Sequence, residues 1–205
     1  MAESVWEKAN EWERQWHDTI GANTFHEEEK QFVYAKRMGI EVYRNPHTPY
    51  NFKNYGKVID IGGGETSMLL KVEKPIDCAV IDPCDYPEWI HERYSYKQIL
   101  FKNLKGEDLL EPNNKTMLGE FDEAWIYNCL QHTEDPEKII QNAKKIAKVV
   151  RIFEWIDTGV NVGHIQNLTE ADLNKWLGGN GKVEIMNERG CYGPAYYGVF
   201  KGDLK

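Results

Sequence analysis

The sequence predicts an α/β protein built around a doubly wound, mostly parallel sheet. Short apolar runs with the length of buried strands alternate along the chain with stretches of helical spacing. A triple glycine, Gly62-Gly63-Gly64, directly follows the first of these runs, as in the strand–loop–helix unit that opens such a sheet. The last two strand-like runs, 183–186 and 195–200, are joined by a short connection, which implies an antiparallel pair.

Length and composition fit one domain. The chain has 205 residues, of which 41% are hydrophobic and 28% charged, enough for a full core. Its net charge of −8 disfavours nucleic acid as a partner, because phosphate binding needs a basic surface. No apolar run approaches the ~20 residues that span a bilayer, and the N-terminus lacks a signal-peptide pattern. The four cysteines have no C-x-x-C spacing and are typical of reduced thiols, so we expect a cytoplasmic protein without membrane contact.

Two helices are predicted before the first strand. Ser4-x-x-Glu7 and Thr24-x-x-Glu27 are capping boxes, and Gly39 is placed to close the second helix. These helices either pack onto the sheet or also form a lid over a ligand pocket. Their apolar faces at helical spacing are Val5, Ala9, Trp12 and Trp16 in the first helix, and Phe25, Phe32 and Ala35 in the second.

The predicted organisation is a single domain over residues 1–205, with an N-terminal helical lid over 1–45 and an α/β core over 56–205. The prolines and glycine within 45–56 predict a connecting loop there. A short helix is expected after the glycine loop, ending near Pro75.

Five further elements continue the alternation of strands and helices. A helix is predicted from Pro87, then a third strand over 97–101. A helix over 136–147 precedes the fifth strand, 149–155, and another helix runs from Thr169 to the glycines that follow it.

The glycine loop has the residues of a nucleotide cradle. Glycines permit positive φ and close approach of a ligand, and a helix that begins beyond them offers unpaired N–H groups. Counted from Asp60, the stretch reads D-x-G-x-G-x-T, with Thr66 in the last position. It resembles motif I of the class I S-adenosylmethionine-dependent methyltransferases, D/E-x-G-x-G-x-G, in which the acid can hydrogen-bond the cofactor's ammonium group. A dinucleotide site favours G-x-G-x-x-G, and its third glycine position is Ser67 here.

An acid ends the predicted second strand. Asp82 lies 20 residues after Gly62, where a carboxylate can accept hydrogen bonds from both ribose hydroxyls of a nucleoside. Because Pro83 follows, the same acid could be a turn or helix-capping residue. The ribose role would serve adenosylmethionine and NAD equally.

A second motif begins at the predicted fourth strand, 124–127. Residues 121–136 resemble the family pattern F-D-x-V-x-x-x-x-V-L-x-H-x-x-D-P. Asp135 is expected to cap a helix that has proline at its first position. The preceding loop should lie at the carboxyl edge of the sheet, where ligands bind in open α/β folds. The matching positions are Phe121, Asp122, Leu130, His132, Asp135 and Pro136.

The resemblance covers roughly residues 56–155. It implies a Rossmann-like sheet of seven strands, the last antiparallel, with helices on both faces. It also implies S-adenosylmethionine as cofactor and methyl transfer to a small-molecule acceptor by in-line displacement. The segment 105–109 resembles the family's adenine-lining segment. The cofactor-binding residues that the resemblance implies are Asp60, Gly62, Gly63, Gly64, Thr66, Asp82, Pro83 and Asn128.

The acceptor side is predicted from polar and aromatic residues at the ligand edge. His132 is the candidate catalytic residue, either as a general base or as a loop or cofactor contact. No cluster has metal-ligand spacing, so no metal is expected. An NAD-dependent oxidoreductase and a non-catalytic adenosylmethionine-binding protein are the alternatives. The candidate substrate-binding residues are Glu154, Trp155, Asp157 and His164.

Overall fold

Helices and strands alternate over most of the chain in the computed structural model, which describes residues 4–19, 25–45, 48–53 and 56–204. The helices are α1 (Val5–Thr19), α2 (Phe25–Arg37), α3 (Glu88–Tyr96), α4 (Pro112–Leu118), α5 (Pro136–Ile146) and α6 (Glu170–Leu177). The strands are β1 (Val42–Asn45), β2 (Thr48–Phe52), β3 (Val58–Ile61), β4 (Ala79–Asp82), β5 (Leu100–Asn103), β6 (Phe121–Tyr127), β7 (Ala147–Trp155), β8 (Lys182–Glu188) and β9 (Cys191–Lys201).

A seven-stranded sheet has the order β5-β4-β3-β6-β7-β9-β8. The five strands from β5 to β7 pair in parallel, and β9 lies antiparallel between β7 and β8. The strand order reverses between β3 and β6, because the chain first builds outward from β3 to β5 and then continues on the other side. The predicted fold class, with its one reversed strand, is confirmed.

Alternate strand residues enter two separate hydrophobic cores. Val58 and Trp125 point into the core that α2 and α3 cover. Ile59 and Ile126 point into the core that α4, α5 and α6 cover. This period-two alternation of apolar residues on both faces is what a doubly covered parallel sheet requires.

The capping box of α1 forms as predicted. The backbone N–H of Ser4 donates to Oε2 of Glu7 at 2.7 Å, and the N–H of Glu7 donates to Oγ of Ser4 at 3.1 Å. The second box begins at Thr24, outside the described residues. Gly39 has φ +70° and closes α2, as glycine commonly does at this position.

The predicted apolar face of α1 is buried only in part. Ala9 is 1% exposed, but Val5 is 71% and Trp12 41% exposed. The side chain of Trp16 lies outside the described residues. Of the other three residues of the predicted apolar face, only Ala9 is therefore buried.

The segment predicted as a connecting loop, 45–56, instead contributes to a hairpin. β1 and β2 pair antiparallel, with Val42 opposite Phe52. Phe52 is fully buried against the α2 side of the sheet, which gives the hairpin its anchor. The prolines misled the prediction, because a two-stranded ribbon leaves an unpaired edge that tolerates proline.

The prediction of a helix after the glycine loop is also wrong. Gly64–Thr66 and Met68–Lys71 form two short 3₁₀ turns, and the chain is irregular from there to β4. Side chains capture the backbone N–H groups that an α-helix would use. Oγ of Ser67, for example, accepts the N–H of Leu69 at 3.1 Å, a local bond that competes with helix formation.

Candidate functional site

A cavity of about 500 Å³ opens at the carboxyl edge of the sheet, where the strand order reverses. Its size is that of a small-molecule site, and its position is the one where open α/β sheets bind ligands. The glycine loop and the ends of β4 and β6 line it from the sheet, while α1 and α2 line it from the N-terminal segment.

Glycine is required at two positions of the loop by the close approach of side chains. Gly62 has φ +76°, and a Cβ atom there would lie 2.6 Å from Cβ of Cys129. A Cβ atom on Gly63 would lie 2.8 Å from Cγ of Asp60. The loop thus presents bare backbone to the cavity on one side and packs tightly on the other.

Asp60 lies beneath the glycine loop and does not line the cavity. Its Oδ2 atom accepts hydrogen bonds from Oγ of Ser67 and the hydroxyl of Tyr127, both at 2.5 Å. Oδ1 is buried without a partner among the described residues. Burial raises the pKa of this carboxyl to about 7, against the opposing effect of the two hydroxyl donors. The geometry makes Asp60 a support for the loop.

The backbone N–H groups of the loop are largely committed to side chains. Gly64 donates to Oδ2 of Asp82 at 3.1 Å. Ser67 donates to the hydroxyl of Tyr94 at 3.1 Å, and Met68 to that of Tyr127 at 3.0 Å. A phosphate-binding loop instead needs converging N–H groups at the start of an α-helix.

Asp82 stands at the end of β4 and lines the cavity with a 7% exposed side chain. Its Oδ1 atom accepts the N–H of Cys84 at 2.9 Å and the hydroxyl of Tyr86 at 3.2 Å. A carboxylate has about four acceptor positions, so ribose hydroxyls would share these oxygens with protein donors. The predicted cofactor residues other than Asp60 all line the cavity: Gly62, Gly63, Gly64, Thr66, Asp82, Pro83 and Asn128.

Residues 104–107, which follow β5, line the cavity together with Ile139 of α5. Trp6 of α1 lines it as well, and Nζ of Lys105 lies 3.5 Å from the centre of the Trp6 ring. Leu109, by contrast, is fully buried in the core.

His132 also lines the cavity and is held by two acceptors. Its Nδ1 atom lies 2.7 Å from the carbonyl oxygen of Gly163 and 2.9 Å from Oε1 of Glu13. Because both neighbours accept, Nδ1 must carry a hydrogen, which leaves Nε2 as the basic nitrogen. Burial lowers the pKa of His132, but the hydrogen bond and charge of Glu13 outweigh it, and the net pKa is raised.

His164 and a group of aromatic rings also line the cavity. The ring of His164 meets that of His132 edge-on at 4.9 Å between centroids. Burial, and then the charge of His132, lower the pKa of His164 and favour its neutral form. Trp155 lines the cavity as predicted, and its ring packs edge-on against Tyr34 of α2.

Two predicted substrate residues do not reach the cavity. Glu154 is fully buried, and its Oε1 atom accepts the backbone N–H groups of Cys129 and Leu130 at 3.1 and 3.2 Å. Its two accepted hydrogen bonds stabilise the turn after β6. Burial raises the pKa of Glu154 to about 7. Asp157 is exposed, with φ +54° in the loop that leaves β7. Strand ends lie near the cavity, but alternation points successive side chains in opposite directions.

Several lining residues that the sequence did not reveal come from α1. Trp6, Asn10 and Glu13 share one helical face at i, i+4 and i+7 and all line the cavity. The polar residues on this face do not register as an apolar stripe, so periodicity alone could not identify them. A tryptophan in phase with two polar residues was the available signal.

Within the described residues, no group of three or more His, Cys, Asp or Glu side chains is arranged to hold a metal ion. Nor does any helix in the described ranges have the length and apolar character to cross a membrane.

Comparison with known proteins gives a consistent fold. No protein-family model matches the chain. No curated protein matches it in sequence. The 1,6-didemethyltoxoflavin-N1-methyltransferase of Burkholderia thailandensis, solved with 1,6-didemethyltoxoflavin and S-adenosylhomocysteine, is similar with a TM-score of 0.61 and 12% identity, over 98% of this chain and 92% of that one. The N-methyltransferase NodS of Bradyrhizobium japonicum WM9, in complex with S-adenosylhomocysteine, has a TM-score of 0.60 and 12% identity, over 98% and 100%.

A third similar structure has a different activity. The [4+2]-cyclase SpnF has a TM-score of 0.56 and 14% identity, over 86% of this chain and 82% of that one. A shared fold therefore does not fix the reaction. What the sheet order and these likenesses establish together is that the chain has the seven-stranded, Rossmann-like fold of class I methyltransferases.

Proposed function

We propose that this protein is an S-adenosylmethionine-dependent methyltransferase that acts on a small molecule. The observation that carries the proposal is the chemistry of the glycine loop. Its N–H groups are committed to Asp82, Tyr94 and Tyr127, and two carboxyl groups adjoin it. Such a loop suits a cofactor with positive charge and a ribose, and it repels a pyrophosphate.

The cofactor fits the residues that line the cavity. Asp82 would accept the ribose hydroxyls, and the bare backbone of Gly62–Gly64 would let the methionine part lie close to the loop. Residues 104–107 and Ile139 would enclose the adenine. Adenosylmethionine supplies a methyl group on a sulfonium, which is transferred by displacement. Two of the similar structures hold S-adenosylhomocysteine, which supports this assignment.

The acceptor is a small molecule in this proposal because α1 and α2 enclose the acceptor end. Tyr34 and Trp155 offer flat apolar surfaces, while His132 and His164 offer polar contacts. The walls hold and orient the acceptor, so positioning supplies much of the rate. A net charge of −8 argues against a nucleic-acid acceptor. Four buried thiols that form no disulfide favour a cytoplasmic location.

The NAD-dependent alternative is weaker on two counts. A dinucleotide site places the pyrophosphate on the N-terminus of an α-helix, and 3₁₀ turns follow the loop here. Ser67, which replaces the third glycine, is fully buried and caps the second of these turns.

A ligand panel tests the proposal. Thermal unfolding is measured with S-adenosylmethionine, S-adenosylhomocysteine, NAD and NADP. A ligand at 100 times its Kd stabilises the folded state by about 2.7 kcal/mol, which for this chain length is roughly 5–10 °C in Tm. We expect such a shift with the first two ligands only. A shift with NAD and none with S-adenosylhomocysteine would overturn the proposal.

A further inference from the structure

The contact between Glu13 and His132 joins α1 to the end of the cavity that the proposed function assigns to the methyl acceptor. Glu13 comes from the third turn of α1, and His132 from the turn after β6. Their side chains are each 19% exposed, and Oε1 of Glu13 lies 2.9 Å from Nδ1 of His132. Nothing in the proposed cofactor site requires this contact.

The two acceptors at Nδ1 select one tautomer of the imidazole. Glu13 and the carbonyl of Gly163 can both be satisfied only by an Nδ1–H group. A carboxylate at this nitrogen fixes the orientation of the ring and stabilises the imidazolium that forms when Nε2 gains a proton. The carbonyl of Gly163 makes the same demand from the opposite segment.

Resting on the proposed function, we propose that Glu13 is a positioning residue that holds His132 as the proton acceptor of the methyl-transfer reaction. As the acceptor's lone pair bonds to the methyl carbon, the carbon–sulfur bond breaks and its electron pair stays on sulfur. The acceptor's proton passes to Nε2 of His132. The new imidazolium then faces the carboxylate of Glu13, so no unpaired charge is created at this end of the cavity.

Two other titratable groups near His132 are Glu154 and His164. Glu154 of β7 also favours the imidazolium, and its carboxyl is fully buried. Burial, and then the charge of His132, lower the pKa of His164 in the loop after β7, which favours its neutral form. Among these groups, Glu13 is the one whose carboxylate oxygen lies 2.9 Å from a ring nitrogen of His132.

The test follows the ring nitrogens of His132 by NMR in protein saturated with S-adenosylhomocysteine. The chain has six histidines, and the spectrum of His132→Gln identifies the signal. Glu13→Gln is compared with Glu11→Gln, a neighbouring exposed acid on α1 that pairs with Arg14 and Gln15. In wild type and Glu11→Gln we expect the Nδ1–H tautomer of His132, with a titration midpoint above the usual pKa of histidine. In Glu13→Gln the pH midpoint of the His132 titration should fall because the carboxylate charge is gone, while the carbonyl of Gly163 still favours the Nδ1–H tautomer.

Three outcomes are decisive. An unchanged His132 titration in Glu13→Gln, or an equal change in Glu11→Gln, overturns the inference. If Glu13→Gln does not fold, Glu13→Asp replaces it. A pH midpoint of His132 below that of wild type then supports the inference, and an unchanged midpoint overturns it. Calorimetry with S-adenosylhomocysteine separates the two proposals. If wild type does not bind this ligand, the proposed function is contradicted. If wild type binds it and the His132 titration is the same in Glu13→Gln, only the role of Glu13 is contradicted.

Discussion

His132 is the residue at which three segments of the cavity wall meet. It follows β6, contacts Glu13 of α1 and contacts the carbonyl of Gly163 in the loop after β7. A base at such a junction responds both to pH and to the position of α1. Its raised pKa means that the neutral form, which accepts a proton, becomes dominant only above the usual histidine range.

His132→Ala should therefore lower turnover by roughly 10²–10⁴, the range of general acid–base catalysis, and leave cofactor affinity nearly unchanged. In wild type the rate should rise with pH through the raised pKa of His132. Single-turnover methylation across pH 5.5–9 measures both effects. Near-normal turnover in the variant, or loss of cofactor affinity alone, would return His132 to a contact role.

Asp82→Asn isolates the charge of the proposed ribose acceptor while keeping its shape. Hydrogen bonds to a charged group contribute about 1.5–3 kcal/mol, so the Kd for S-adenosylhomocysteine should rise roughly 10- to 100-fold. Calorimetry measures the change. Asp85→Asn, an exposed acid three residues on, is the control and should bind normally. Equal affinities in the two variants would contradict the ribose role.

At the scale of elements, α1 is the part of the site with a divided role. Its inner face carries Asn10 and Glu13 beside Trp6, so it covers a polar cavity and gains little from hydrophobic burial. Val5 is 71% exposed and does not line the cavity, whereas Trp12, 41% exposed, does. A helix docked in this way depends on what fills the space beneath it, which is the basis for regarding it as a lid.

Amide hydrogen exchange tests the lid. The backbone amides of α1 should gain protection when S-adenosylhomocysteine is added, because the ligand supplies contacts that the empty face lacks. The amides of β6 in the centre of the sheet serve as an internal reference and should not change. Maximal protection of α1 without ligand would mean that the helix is ordinary core.

Gly163→Ala should weaken the docking of α1. A Cβ atom on Gly163 would lie 2.7 Å from Cζ3 of Trp12, so the helix or the loop must move. Exchange in α1 should become faster than in wild type. Gly179→Ala, whose Cβ atom would meet Phe200 at an ordinary 3.6 Å, is the matched control. Identical exchange in both variants would argue that Trp12 does not hold the lid.

The elements that sequence predicted well are those with strong local signals. The capping box at Ser4, the apolar run of β3 and the Asp135–Pro136 start of α5 each depend on residues close in sequence. The hairpin at β1 and β2 and the 3₁₀ turns after β3 depend on tertiary contacts instead. Tyr94 and Tyr127, which capture the N–H groups of Ser67 and Met68, come from distant elements, and no local pattern contains them.

The site divides in the same way. The glycines and Asp82 have a recognisable spacing in sequence and do line the cavity. Glu154 and Asp157 were assigned to it from their place near the end of β7. One residue of phase puts Glu154 in the core while Trp155 lines the cavity, and Asp157 lies beyond the strand with an exposed side chain. The role proposed for Glu13 depends on a partner more than a hundred residues away in sequence, His132.

For the whole molecule, two buried carboxyls should make stability depend on pH. The pKa values of Asp60 and Glu154 are raised to about 7 in the folded state by burial. Between their ordinary values of ~4 and about 7, the folded protein binds more protons than the unfolded chain. This contribution to the free energy of unfolding is complete at low pH and is lost as pH rises to 7, by on the order of a few kcal/mol.

Glu154→Gln should remove its share of this dependence. Urea unfolding of wild type between pH 5 and 8 should show a decline that is smaller in the variant, because glutamine has no proton to lose. Glu111→Gln, at an exposed acid before α4, is the control and should follow wild type. Parallel curves for all three proteins would show that Glu154 does not ionise in this range.

The position of α1 and α2 outside the seven-stranded sheet has an evolutionary consequence. These helices add no strand to that sheet, so substitutions of their cavity-lining residues change the cavity wall without changing which strands pair. The same residues form part of the proposed acceptor wall and include the partner of His132. Descendants of this chain could exchange one acceptor for another through α1 and α2 alone, and divergence should therefore concentrate there while the loop from Asp60 to Ser67 stays constant.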